Sequence, residues 1–214
     1  MDPRHRRLAR VGLAVIARYG FALAGGYAVQ AHGFLTRLSD DVDLFTASPD
    51  ESGFAEAVEA VVAAYLADGL TVTVDRRSAT FARLLVADGQ GPDGKVELGL
   101  DRRAHPPTFF EIGPVLHSDD AVANKVCALF GRGEVRDYID VHAILASGRY
   151  TGEQLLTLAA GHDPGFDRDW FSQALRAVER LPRSSFEPYG MPPGEAAELV
   201  RRLTRWADDL IGHG

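Results

Sequence analysis

A double glycine followed by an alternating acidic segment constrains this chain more than any other feature of its sequence. Residues 25–45 read GGYAVQAHGFLTRLSDDVDLF, and polar and apolar residues alternate from Asp41 to Leu44. Residues two apart on a strand point to the same face, so Asp41 and Asp43 share one face while Val42 and Leu44 share the other. We therefore predict a half-buried strand over residues 41–46 whose two carboxylates face a cleft.

The hydrophobic periodicity of the rest of the chain predicts a mixed first half and a helical second half. The predicted strands cover residues 21–24, 41–46, 70–74, 80–86 and 95–100, with a loop at 88–94. The predicted helices cover residues 4–19, 27–32, 48–67, 118–130, 134–145, 151–160, 167–181 and 193–211. This order of elements predicts an α+β fold, in which helices flank a mixed β-sheet and a C-terminal helical bundle follows. The predicted regions are 1–117 and 118–214.

A third carboxylate is expected close to the first two. In residues 95–100, Glu97 lies on the strand face opposite Val96 and Leu98, and Asp101 is the rival candidate just beyond the strand. Carboxylate oxygens are the ligands preferred by hard divalent cations. We therefore predict that Asp41, Asp43 and Glu97 bind Mg²⁺ or Mn²⁺, the ions suited to phosphate chemistry.

The residues around this acidic segment are suited to binding phosphate. Glycines allow a close approach of backbone amides to an anion, which favours Gly25 and Gly26 as phosphate contacts. An extended chain ahead of Asp41 would place Arg37 and Ser39 on the carboxylate face. Ser39 would then donate a hydrogen bond to a phosphate oxygen, and Arg37 would pair with one.

Together these residues resemble the polymerase-β-type nucleotidyltransferase superfamily, and within it the AbiEii/AbiGii family, the toxin half of type IV toxin–antitoxin systems. The resemblance covers residues 25–145 and rests on the double glycine, the R-x-S-D-D-V-D-L segment, and a downstream lysine followed by R-D-x-x-D. It implies a nucleotidyltransferase fold with a catalytic core at 1–117 and a helical region at 118–214 that completes the cleft. It also implies a nucleoside triphosphate substrate, a tRNA 3′ end as acceptor and a cognate antitoxin as partner.

The downstream part of this pattern lies on two predicted helices. Arg136 and Asp140 are four residues apart, which predicts an ion pair between them on one helix face. The resemblance implies instead that Lys125 contacts the triphosphate and that Asp140 orients Lys125 or the acceptor. It also places Arg136 at the nucleotide.

Composition separates the remaining alternatives. Acidic residues outnumber basic ones, 30 to 23, so the net charge is −7, which argues against a protein that coats duplex DNA. The single cysteine, Cys127, excludes an internal disulfide, and no apolar run of 18 residues predicts a membrane span, so we expect a cytoplasmic protein. The negative charge also suits cationic acceptors, as in aminoglycoside nucleotidyltransferases, which share the double glycine and D-D-[IV]-D-L pattern. An inactive nucleotide-binding module is the third alternative.

Overall fold

The computed structural model describes residues 1–89 and 94–211. Residues 90–93 of the predicted loop at 88–94 lie outside this description. The chain forms two compact units. Unit 1 comprises Met1–His32 and Leu38–Ser118, and unit 2 comprises Gly33–Arg37 together with the described chain from Asp119 onward. Over the described ranges, no helix has both the length and the apolarity needed to cross a membrane.

Unit 1 contains a seven-stranded mixed sheet and three helices, which confirms the predicted α+β fold. The helices are α1 (Pro3–Ile16), α2 (Gly25–Ala31) and α3 (Glu51–Ala67). The strands are β1 (Ala22–Leu23), β2 (Asp41–Thr46), β3 (Thr71–Arg77), β4 (Phe81–Ala87), β5 (Gly94–Leu100), β6 (Thr108–Phe110) and β7 (Gly113–Val115). Their order across the sheet is β3-β4-β5-β2-β1-β7-β6.

Strand β2 lies at the centre of this sheet and carries the acidic segment. It pairs in parallel with β5 and antiparallel with β1. The apolar side chains of Val42 and Leu44 are fully buried, as the alternation predicts. Helix α1 packs on the same apolar side: a Cβ at Gly12 would lie only 3.0 Å from Cδ1 of Leu44. This packing fixes which face of β2 presents its carboxylates.

Unit 2 is helical. Its helices are α4 (Ser118–Gly131), α5 (Val135–Ala146), α6 (Gly152–His162), α7 (Arg168–Arg176) and α8 (Pro193–Ile211), and 3₁₀ turns cover Ala177–Arg180 and Arg183–Tyr189. Phe171 and Trp206 meet edge to face, with ring centroids 5.2 Å apart, and join α7 to α8. Such aromatic contacts add to the burial of their large apolar surfaces.

Residues 33–37 belong to unit 2 although unit 1 precedes and follows them in the chain. Phe34 explains their position, because its ring is buried and lies against two side chains that follow α5. The Arg149 guanidinium lies 3.3 Å from its ring centroid, and the Tyr150 ring centroid lies 5.8 Å away. The assignment of residues 33–37 to unit 2 was not predicted, because the sequence around the apolar residues Phe34 and Leu35 does not indicate which unit buries them.

Several element boundaries differ from prediction. Helix α2 begins at Gly25 rather than residue 27, so the double glycine lies in its first turn, and Gly25 takes a positive φ of 58°. The predicted helix at 167–181 tightens into a 3₁₀ turn after Arg176. Strands β6 and β7 were not predicted, because three residues are too few to show a periodicity. They pair with each other across a short turn, and β7 also pairs with the distant strand β1.

Candidate active site

The three predicted carboxylates come together on the central strands of unit 1. In the parallel pairing of β2 and β5, Asp43 is opposite Glu97. One carboxylate oxygen from each of Asp41, Asp43 and Glu97 lies within 4.8 Å of the other two. We call these residues the carboxylate triad. A donor set made only of carboxylate oxygens fits a hard divalent cation such as Mg²⁺ or Mn²⁺.

The register also distinguishes Glu97 from Asp101. Glu97 lies in the middle of β5, whereas Asp101 follows its last residue, Leu100, which is opposite Thr46 at the far end of β2. The Asp101 carboxylate instead accepts a hydrogen bond from the backbone N–H of Arg102. The structure therefore brings Glu97, and not Asp101, beside the two aspartates.

Ser39 supports the triad from the preceding loop. Its hydroxyl donates to Oδ1 of Asp41 over 3.2 Å, and both residues are buried. Tyr27 on α2 holds the Ser39 backbone in turn, because its hydroxyl donates to the Ser39 carbonyl over 3.2 Å. His5 on α1 shares a 2.6 Å hydrogen bond with the same tyrosine hydroxyl. Burial lowers the pKa of His5, which favours its neutral form. The orientation of Asp41 thus depends on side chains from two helices.

The double glycine lies directly against the triad. A Cβ built on Gly25 would lie 1.7 Å from Oδ2 and 2.6 Å from Cγ of Asp43, so there is no room for any side chain at this position. The φ of 58° at Gly25 is also one that other residues adopt only with strain. Gly26, the next residue, is buried in the first turn of α2. The glycine therefore allows the backbone to approach the Asp43 carboxylate.

Replacing Gly25 by alanine is expected to displace Asp43 and lower any metal-dependent activity by about a hundredfold, since small misplacements of a reacting group cost this much. Gly69→Ala is the matched control: its φ is 79°, similarly left-handed, yet its Cβ would meet nothing within 4 Å. Both variants should lose roughly 1–2 kcal/mol of stability from backbone strain. Equal activity of the two purified variants would show that the contact with Asp43 has no functional weight.

A second cluster forms inside unit 2. Arg37 donates from Nε to Oδ1 of Asp140 and from Nη2 to Oδ2, both over 2.6 Å. The Nζ of Lys125 on α4 lies 2.9 Å from the same Oδ2. Asp140 is fully buried, and the side chains of Arg37 and Lys125 are each 7% exposed. We call Arg37, Lys125 and Asp140 the basic trio, because two cations and one carboxylate leave a net positive charge.

Opposing effects act on the pKa of Asp140. Burial is the largest single effect and raises the pKa, but the charge of Lys125 and the hydrogen bonds and charge of Arg37 together outweigh it. The pKa is therefore lowered, and Asp140 stays ionised. A paired ionised carboxylate at this depth fixes the position of both cations.

Residues 6–199 match the family described as "Nucleotidyl transferase AbiEii toxin, Type IV TA system". The chain belongs to the AbiEii nucleotidyltransferase toxin family. A comparison with curated protein sequences finds no match.

Solved structures share the fold of this AbiEii-family chain. JHP933 from Helicobacter pylori superposes with a TM-score of 0.62 at 17% identity, over 98% of this chain and 93% of that chain. The nucleotidyltransferase toxin MenT4 from Mycobacterium tuberculosis superposes with a TM-score of 0.61 at 19% identity, over 96% of this chain and 83% of that chain. These similarities establish the fold. The chemistry of the site in this AbiEii-family chain is argued from its own residues.

The ion pair that helix spacing predicts between Arg136 and Asp140 is wrong. Asp140 pairs with Arg37 and Lys125 and not with Arg136, whose Nε lies 2.9 Å from the Glu134 carboxylate. Glu134 precedes α5 and competes for Arg136 at short range. Arg37, predicted to pair with phosphate, instead directs two guanidinium nitrogens at Asp140.

The first aspartate of R-D-x-x-D, Asp137, has a structural role in this AbiEii-family chain. Its carboxylate accepts from the backbone N–H of Glu134 at the start of α5 and from Nε and Nη2 of Arg132, each over 2.8 Å. Asp137 is fully buried, so it stabilises the N-terminus of the helix that carries Asp140.

Sequence reasoning missed two cations beside the triad. The Nζ of Lys95 lies 2.9 Å from Oδ2 of Asp41, and the Nε of Arg83 on β4 donates to Glu97 over 2.9 Å. Lys95 lies two residues before Glu97, so strand alternation places both on one face. Its pairing with Asp41 depends on the parallel register of β5 with β2, which no local pattern indicates.

Proposed function

We propose that this chain is a divalent-metal-dependent nucleotidyltransferase that moves a nucleoside monophosphate from a nucleoside triphosphate to an acceptor hydroxyl. The observation that carries the proposal is the carboxylate triad, whose oxygens lie within 4.8 Å of one another on two paired central strands. Membership of the AbiEii nucleotidyltransferase toxin family supports the same reaction class.

Asp41, Asp43 and Glu97 would hold Mg²⁺ or Mn²⁺. Such an ion neutralises charge on the triphosphate and lowers the pKa of a bound hydroxyl. In the transfer step, the acceptor oxygen bonds to the α-phosphorus as the bond to the bridging oxygen of pyrophosphate breaks. A triad carboxylate takes the proton of the hydroxyl. The contribution of the protein is positioning and charge neutralisation.

The other predicted residues position the triad and the triphosphate. Ser39 holds Asp41 through its 3.2 Å hydrogen bond, and Gly25 leaves space beside Asp43. We assign Lys125 to the triphosphate, and Asp140 and Arg37 to holding Lys125. The net charge of +1 on the basic trio supports this assignment, because an anionic ligand is attracted to such a cluster. Gly26 and Arg136 remain predicted nucleotide contacts.

We propose RNA, and specifically a tRNA 3′ end, as the acceptor, with a cognate antitoxin restraining the activity. The family's place in type IV toxin–antitoxin systems supports the antitoxin, and the tRNA acceptor is the one that the sequence resemblance implies. The exposed arginines Arg201 and Arg205 on α8 would suit a phosphate backbone. A cationic small molecule such as an aminoglycoside is the second candidate, because the net charge of −7 would attract it.

Label transfer tests this proposal. The protein is incubated with Mg²⁺ and each α-labelled nucleoside triphosphate, with total tRNA in one series and an aminoglycoside panel in another. We expect label on tRNA, release of pyrophosphate in equal amount, and no transfer after chelation by EDTA. The same assay with Asp41→Ala is the negative control.

Each arm of this assay decides a different point. Label on an aminoglycoside alone would replace the acceptor class and keep the reaction. Transfer that persists in EDTA would contradict the metal dependence. Failure to label either acceptor, together with failure to bind any nucleoside triphosphate, would leave the fold without the proposed chemistry.

A further inference from the structure

Lysine is used very sparingly in this chain. Of its 23 basic Lys and Arg residues, only Lys95 and Lys125 are lysines. Each is the ion-pair partner of a buried aspartate, Lys95 of Asp41 in unit 1 and Lys125 of Asp140 in unit 2. A lysine ammonium is a compact charge on a flexible stem, whereas a guanidinium forms a rigid fork that binds both oxygens of a carboxylate. The basic residue that pairs with Asp41 is therefore a lysine, whose side chain is more mobile than that of an arginine.

The position of Lys95 places its charge within the carboxylate triad. Lys95 is opposite Asp41 in the parallel register. Its Nζ lies 2.9 Å from Oδ2 of Asp41 and 3.9 Å from Oε1 of Glu97, so it contacts two of the three acids. The side chain is 30% exposed, unlike that of Lys125 at 7%. Lys95 is therefore held by carboxylates and still has access to solvent.

Three carboxylates this close repel one another, and a nearby positive charge relieves that repulsion. The Lys95 ammonium supplies such a charge at the same Asp41 carboxylate that a divalent cation would need. The two positive charges would also repel each other, so both cannot occupy this carboxylate at low cost. The single contact between Lys95 and Asp41 breaks more readily than the bidentate ion pair between Arg37 and Asp140.

We propose that Lys95 is a displaceable counter-cation of the triad. It stabilises the metal-free carboxylates and, by competing for Asp41, weakens the affinity of the site for divalent metal. Metal binding moves the ammonium away from Asp41. Lys95 is thus a positioning residue that sets metal occupancy, and the inference rests on the proposed function because it requires a divalent cation at the triad.

Calorimetric titration with Mn²⁺ in the absence of nucleotide tests this role without measuring activity. We expect Lys95→Met to bind Mn²⁺ about tenfold more tightly than the wild type, because one repelling charge is removed. Lys95→Arg keeps the charge and should not bind more tightly. Arg77→Met is the matched control: it removes a cation from the same sheet, but Arg77 pairs with Glu59 on the surface. Its Mn²⁺ affinity should stay within about twofold of the wild type.

Thermal unfolding separates this role from a purely structural one. Without metal, Lys95→Met should melt roughly 2–4 °C below the wild type, the size of effect that about 1 kcal/mol produces in a chain of this length. Saturating Mn²⁺ should close that gap, because the metal replaces the lost charge. A lysine that only supported the fold would lower the melting temperature equally with and without Mn²⁺.

The outcomes separate the two proposals. If the wild type binds Mn²⁺ and Asp43→Asn does not, but Lys95→Met binds no more tightly than the wild type, the role of Lys95 is overturned and the metal site stands. If the wild type binds no Mn²⁺, the metal dependence and the role of Lys95 are both overturned. Lys95→Gln provides the same comparison if the methionine variant does not fold.

Discussion

Replacing Asp43 by asparagine is expected to lower nucleotide transfer by about a thousandfold or more while the protein stays folded. The amide keeps the size of the carboxylate but loses its charge, so the divalent ion loses a ligand at the centre of the triad. Asp43 is only half-buried, at the point where β2 pairs with Glu97 on β5. Loss of its charge relieves repulsion with its neighbours, so little stability should be lost. Initial rates of label transfer at saturating Mg²⁺ measure the effect.

Asp40→Asn provides the matched control for this variant. Asp40 is the same residue type three positions earlier in the chain, but it is exposed and lies outside the triad. Its transfer rate should stay within about twofold of the wild type, since surface substitutions usually change little. A rate for Asp43→Asn that matches both Asp40→Asn and the wild type would remove the triad from the mechanism. A large loss in both would point to net charge rather than to metal ligation.

Replacing Asp140 by asparagine is expected to have the largest effect on stability, about 3–5 kcal/mol. The change leaves the side chains of Arg37 and Lys125, each 7% exposed, without the charge that neutralises them. For a chain of this length, such a loss lowers the melting temperature by roughly 10 °C. Asp208→Asn is the control: that carboxylate pairs with Arg176 on the surface, so the cost should stay below about 1 kcal/mol.

The pH dependence provides an independent check on Asp140. Its pKa in the folded protein is lowered, so its ionised form stabilises the fold at every pH above the unfolded value of about 3.9. This contribution is lost as the pH falls through the lower folded value. The stability difference between wild type and Asp140→Asn should therefore be full at pH 7 and should shrink below about pH 4. A difference that stays constant down to pH 3 would contradict the ion-pair explanation.

Local patterns predict much of this fold and part of its site. The alternation in β2 and β5 follows from burying Val42 and Leu98 on one face, so it is readable from sequence and correctly places Asp43 and Glu97 on the other. The register between parallel strands depends on segments far apart in the chain. The pairing of Lys95 with Asp41 therefore could not be predicted from a local pattern. The bond from Arg37 to Asp140 spans 103 residues, and the nearer Arg136 was a plausible but wrong partner.

The chain order of unit 2 affects when that unit is completed during protein synthesis. Its first residues, 33–37, leave the ribosome early, but Asp140 follows 103 residues after Arg37. Chains fold from the N-terminus as they are made. The strands that carry the triad, β2 and β5, are therefore complete before the carboxylate that holds Arg37 and Lys125 has been synthesised. The nascent chain thus completes its carboxylate triad well before its basic trio, and a chain released in between has the triad without Asp140.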